Sequence, residues 1–140
     1  MRLFRTTENT RFHIDYAWFE KNGQDVKVLI YKCLTPEQQE RISNTQDAEL
    51  YDYVDEMTAE VTQVDPVLHT IRTQNATDPN FITSRTPVAE AAFRVFLVNN
   101  NQPLTSMEMA ARINRRPAEV LAQLGGRLVY NGIRPVAEPN

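Results

Sequence analysis

The chain has one cysteine, one tryptophan and only four glycines in 140 residues. A lone Cys33 cannot close an internal disulfide, so the fold must rest on its core, which a chain of this length buries without staples. Three of the glycines, Gly125, Gly126 and Gly132, crowd the C-terminal end, which leaves no glycine-rich loop to cradle a phosphate and no dinucleotide fingerprint. No apolar run approaches the roughly 18 residues that would span a bilayer. Met1-Arg2-Leu3-Phe4-Arg5 has no apolar stretch behind it, so no secretory signal is expected, and together with the cysteine usage this points to a cytoplasmic protein. His13 and His69 stand far apart and no His-x3-His, Cys-x2-Cys or His-Glu-x-x-His spacing occurs, so neither a metal nor another cofactor is expected. Asp52, Asp55 and Glu56 lack the glycine and spacing of a calcium loop. No nucleophile, base and orienting group fall into a catalytic pattern, and the reading is that the chain is not an enzyme.

What is present is ordinary for a globular protein: 41% hydrophobic and 24% charged residues, which excludes wholesale disorder. The net charge of −3 hides an asymmetry. Residues 1–81 carry 8 basic and 14 acidic side chains, whereas 82–136 carry seven arginines against Glu90, Glu108 and Glu119. Segment 35–65 is the most acidic, with Arg41 alone against nine carboxylates. A basic module on an acidic chain lets only one half face an anionic partner; the alternative is two solvated faces.

Hydrophobic periodicity supplies the elements. Phe12, Ile14, Tyr16 and Trp18 alternate with polar or small residues, Asn22-Gly23 follows, and Val26, Val28 and Ile30 alternate again. This predicts a β-hairpin over 11–33, with Tyr16, Trp18, Phe19 and Tyr31 in its core. Thr35-Pro36-Glu37-Gln38 opens a helix with a capping box. Tyr51 to Val54 and Glu60 to Val64 predict a second small hairpin, in competition with one acidic helix over 47–61. Asp65-Pro66 starts a helix that runs to about Gln74, and 75–85 is the best linker. Asn75-Ala76-Thr77 is a glycosylation sequon that a cytoplasmic chain would not use.

The C-terminal third has the clearest pattern. Thr86-Pro87 starts a helix whose Val88, Ala91, Ala92, Val95 and Phe96 form one apolar stripe, ended by Asn99-Asn100-Asn101. Thr105-x-x-Glu108 caps a short helix to about Ile113, Asn114-Arg115-Arg116 turns, and Pro117 to Leu124 is helical. Gly125-Gly126 stops it, and Arg127 to Tyr130, Asn131-Gly132 and Ile133 to Val136 read as a hairpin. Helix, short helix, turn, helix and two-stranded wing is the order of the winged helix-turn-helix, which residues 86–136 resemble. Leu104-Thr105-Ser106-Met107-Glu108-Met109-Ala110-Ala111-Arg112-Ile113 looks like its second helix, Pro117 to Leu124 like its recognition helix and Arg127 to Pro135 like its wing. The run is loosely similar to HARE-type helix-turn-helix modules of transcription and chromatin proteins. The resulting expectation is an α+β protein, with N-terminal β-hairpins and short helices in 1–81 followed by a winged-helix-like region in 82–140.

The resemblance implies duplex DNA as partner, with Arg112, Arg115, Arg116, Arg127 and Arg134 on phosphates and Gln123 able to read an adenine. The recognition helix is otherwise a poor base reader, since Glu119 repels phosphate and Ala122 reads little. The second reading is therefore an adaptor or subunit whose winged helix contacts a protein. No membrane partner is expected, and a homo-oligomer is compatible with the sequence.

Overall fold

The computed structural model describes residues 5–44, 51–54 and 61–137. The architecture is α+β, and the chain divides into two compact units: Met1–Asp25 with Ile82–Asn140, and Val26–Phe81. The expected boundary after residue 81 coincides with an edge of the second unit. Residues 1–25, expected with the N-terminal region, instead belong with 82–140.

The first unit is built on β1 (Arg11–Ile14), α1 (Tyr16–Lys21), α5 (Val88–Val98), β4 (Leu104–Thr105), α6 (Ser106–Ile113), α7 (Pro117–Leu124) and β5 (Ile133–Pro135). Its sheet has the order β4-β1-β5, antiparallel throughout, with Phe12 opposite both Leu104 and Pro135, and Ile14 opposite Ile133. Phe12 and Ile14 alternate inward and are fully buried, as period two requires. The apolar stripe expected on α5 is there, but Phe93 and Leu97 are buried as well. A helix apolar on nearly all sides is a central one, and α5 carries the core to which Met109, Ile113, Val120 and Leu124 also contribute.

The hairpin expected over 11–33 is not formed. β1 ends at Ile14, and 16–21 and 26–31 are helices, the latter α2 (Val26–Tyr31). Asn22-Gly23 is a helix end rather than a hairpin turn. Gly23 takes φ +63°, its N–H donates to Glu20 O (3.2 Å), and the Gln24 N–H donates to Phe19 O (2.8 Å). That is the Schellman arrangement, which needs the same positive φ as a tight turn. The residue that packs is Phe19, out of phase with Tyr16 and Trp18, while Tyr16 stays 41% exposed. In α2, Ile30 is buried and Val28, the middle of the apparent alternation, is 51% exposed.

β4 is too short to pair with Ile14, and a side chain takes its place. Asn101, in the left-handed region at φ +57°, accepts from the Ile14 N–H (2.8 Å) and donates to the Ile14 carbonyl (2.9 Å). The amide of Asn101 thus imitates one residue of a neighbouring strand. Asn101→Ala should lower stability by about 1–3 kcal/mol in a denaturant melt, because two backbone groups lose their partner and the left-handed φ loses a tolerant residue. Asn101→Gly should recover only the part due to φ.

The second unit contains α2, α3 (Pro36–Asn44), the hairpin β2 (Tyr51–Val54) with β3 (Val61–Val64), and α4 (Pro66–Thr70). The second hairpin is thus formed as expected, Tyr51 opposite Val64; the turn expected at 55–59 and the Asp55 and Glu56 side chains lie outside the described residues. Both cap expectations hold. The Gln38 N–H donates to Thr35 Oγ1 (3.2 Å), and Asp65 Oδ1 accepts from Val67 N (2.9 Å). α4 continues as one π-helical turn, Ile71–Asn75. It buries Asn75, which accepts from Gln38 Nε2 (2.6 Å) and donates to the Cys33 carbonyl (3.3 Å). A buried, engaged amide cannot serve the sequon, and Cys33 is a buried thiol donating to Leu29 O (3.4 Å).

Candidate interaction surface

The surface is built by α6, the turn 114–116, α7 and the loop that follows. The α6 start is the capping box expected: Thr105 Oγ1 accepts from Glu108 N (3.2 Å), and the Glu108 carboxylate accepts from Thr105 N (2.9 Å). These bonds, with Arg112 and Arg11 nearby, hold the exposed Glu108 carboxyl below its ordinary pKa. A depressed carboxylate adds stability above its unfolded pKa and loses it as pH falls through the folded value. Thr105→Ala should therefore cost about 1 kcal/mol at neutral pH. Glu108→Gln should flatten the acid side of the stability profile, measured as melting temperature from neutrality down past the ordinary glutamate range. α6 ends on Asn114, left-handed at φ +56°, which turns the chain toward α7.

The structure separates the expected phosphate-contacting residues. Arg115 is committed inside its own unit. Its guanidinium donates to Ser84 O (2.8 Å), Thr86 O (2.7 Å) and Glu119 Oε1 (2.8 Å), and its side chain is only 21% exposed. Arg134 lies on β5 and makes a long ion pair with Asp15 (3.4 Å). Arg112 is exposed at the end of α6, and Arg127 is exposed just beyond α7. Arg116 is exposed at the N-cap of α7, where its side chain makes no capping bond. Gln123 is half-buried on α7 beside the exposed Ala122.

The wing is not a hairpin. Asn131 and Gly132 do take the expected positive φ values, +53° and +69°, and Ile133 N donates to Tyr130 O (3.0 Å). Beyond that turn, only Ile133–Pro135 is a strand, and its partner is β1 rather than 127–130. The physical reason lies in the register. Asp15 N donates to Gly132 O and Val136 N to Arg11 O, both 2.8 Å, so the narrow hydrogen-bonded pair between them is His13 with Arg134. Ile133 and Pro135 therefore turn their backbone groups to the outer edge, where proline has no N–H to return to an arriving strand.

The loop consequently exposes apolar side chains that a hairpin would hold in a strand: Leu128 is 67% and Tyr130 38% exposed. With Glu119, Ala122, Gln123, Gly126 and Arg127 they line one open groove. Pro135 was the available signal, since proline inside a strand pattern demotes it to an edge. Among the described residues, no three His, Cys, Asp or Glu side chains gather as metal ligands, and no helix is long and apolar enough to cross a membrane. Comparison with protein-family models, with curated proteins and with solved structures finds no match.

Proposed function

We propose that the chain is a non-enzymatic adaptor that binds a protein partner through the groove between α7 and the loop 125–130. The observation that carries this reading is the composition of that face. Leu128 and Tyr130 are exposed beside Ala122 and Gly126, and α7 presents no cation there. Exposed tyrosine, leucine and arginine around a low-charge groove suit a protein contact better than a phosphate backbone. Glu119 is satisfied by Arg115, which leaves Arg127 as the groove's uncommitted charge and favours a partner segment with a carboxylate beside its apolar residues. The test is a photo-crosslinking residue placed at position 128 of the full chain in its native cells. A discrete crosslinked protein that is lost on Tyr130→Asp supports the adaptor. Unchanged crosslinking in a folded Tyr130→Asp chain overturns it.

One observation favours the second reading, contact with duplex DNA. Arg116 stands at the N-cap of an eight-residue helix, a place that prefers a small hydrogen-bond acceptor and negative charge. A phosphate bound there would give that arginine a purpose, with Arg112 and Arg127 as neighbours in sequence. A mobility shift of the full chain with random duplex at low salt tests it. Binding that weakens with salt and with Arg112→Ala/Arg116→Ala favours DNA; no shift leaves the arginines as surface charge.

A further inference from the structure

The loop 127–130 and β5 share a turn made for a hairpin, yet only one arm is zipped. We infer that residues 127–130 are a fourth strand held off the outer edge of β5, and that the chain passes between this open form and a closed one. The inference rests on the adaptor reading for its use, but its geometry stands on the sheet alone.

The turn sets the register of closure. With Asn131 and Gly132 as its two central residues, Tyr130 falls opposite Ile133, Leu128 opposite Pro135, and Arg127 opposite Val136. The outer edge of β5 offers the carbonyls of Ile133 and Pro135 and no free N–H, because Ile133 N is engaged in the turn and residue 135 is proline. The arm supplies what that edge lacks: no bond within the described chain engages the N–H groups of Leu128 and Tyr130. Closure would add Tyr130 N–H to Ile133 O and Leu128 N–H to Pro135 O. The one bond it cannot make is from residue 135 back to Leu128.

The faces agree with the backbone. Ile133 and Pro135 lie opposite Ile14 and Phe12, the two core-facing residues of β1. Residues directly opposite on antiparallel strands share a face. Closing the arm therefore turns Leu128 and Tyr130, the exposed pair of the groove, to the core side, and Arg127 and Val129 to the outer side with Arg134. The open form presents the two apolar side chains to a partner, and the closed form withdraws them. Pro135, by deleting one ladder bond, keeps the two forms close in free energy.

Pro135→Val restores the missing donor and should favour closure. Hydrogen exchange of the full-length variant, read residue by residue, should show the Leu128 and Tyr130 amides slowed by about tenfold or more, with the β1 amides unchanged. Wild-type exchange at both positions in a folded Pro135→Val chain overturns the inference. A second measurement covers a variant that fails to fold. Arg127→Cys/Val136→Cys places thiols on what becomes a non-hydrogen-bonded cross-strand pair on closure, a spacing that suits a disulfide. In a glutathione redox buffer, oxidised glutathione should close that disulfide rapidly. Two thiols that persist in the folded chain again overturn the inference. Both readouts are independent of any partner, so a failed crosslink at position 128 with a positive exchange result would remove the adaptor reading and leave the switch.

Discussion

Gly132→Val will destabilise the chain by about 3 kcal/mol or more, the sum of a left-handed φ imposed on a branched residue and an overpacked contact. Gly132 sits at φ +69°, and a Cβ built there falls into the ring of Phe19, 2.7 Å from Cζ. The turn is fixed from both sides, since Asp15 N donates to the Gly132 carbonyl (2.8 Å). It therefore cannot back away from the ring without losing that bond. Gly23 supplies the control, because it has nearly the same φ, +63°, and nothing within 4 Å of a Cβ. Gly23→Ala should show the backbone cost alone, about 1 kcal/mol, and Gly132→Ala visibly more. The excess should shrink when Phe19 is first cut to leucine, a coupling that a double-mutant cycle in denaturant measures. Equal losses at the two glycines would mean that Phe19 does not pack against the turn.

Arg115→Ala will cost about 2–3 kcal/mol, whereas its neighbour Arg116 can be replaced with a gain. Arg115 binds the two carbonyls, Ser84 and Thr86, that lead into α5, and it holds Glu119 on α7. A charged group hydrogen-bonded to several acceptors contributes more than an exposed ion pair, although its 21% exposure keeps the loss below that of a fully buried charge. Arg116→Asp should stabilise by about 0.5–1 kcal/mol, since it supplies the missing cap and a charge that suits the helix N-terminus. Thermal melts of the two single variants give the comparison. Equal effects at 115 and 116 would contradict the distinct roles assigned to them.

The two arginines also show where sequence reasoning stops. Adjacent and chemically identical, they are told apart by the two carbonyls that Arg115 binds, Ser84 and Thr86, which lie 31 and 29 positions away. Local signals were legible: Thr35, Asp65 and Thr105 all cap as their spacing indicates, and Asn114 ends α6 where the turn was expected. The helical order of 88–124 followed from periodicity for the same reason. What failed was pairing between distant strands. The run from Phe12 to Trp18 and the run from Val26 to Ile30 each alternate, and nothing nearby reveals that β1 pairs instead with Leu104–Thr105 and Ile133–Pro135. Asn-Gly satisfied a helix end at 22–23 and a tight turn at 131–132, one dipeptide serving two structures through the same backbone angle. For the surface, Arg112, Arg116 and Arg127 were expected and are exposed, whereas Leu128 and Tyr130 were hidden by a hairpin that Pro135 does not complete.

The central strand of the first sheet also sets an order of events during synthesis. β1 is made well before either of its partners, and it meets nothing it can pair with until Leu104–Thr105 and then Ile133–Pro135 follow it off the ribosome. Asp15 and Arg134 are 119 positions apart, and Asn101, the side chain that completes Ile14, comes 87 positions after it. Everything in Val26–Phe81 is made in the interval, and that unit can bury Ile30, Val67 and Ile71 among near neighbours without waiting. Long-range closure carries a large entropic cost before any contact offsets it, so the sheet should form last and slowly. Until then Phe12 and Ile14 remain an unpaired apolar strand, which makes the nascent chain, rather than the finished protein, the form most in need of protection from aggregation.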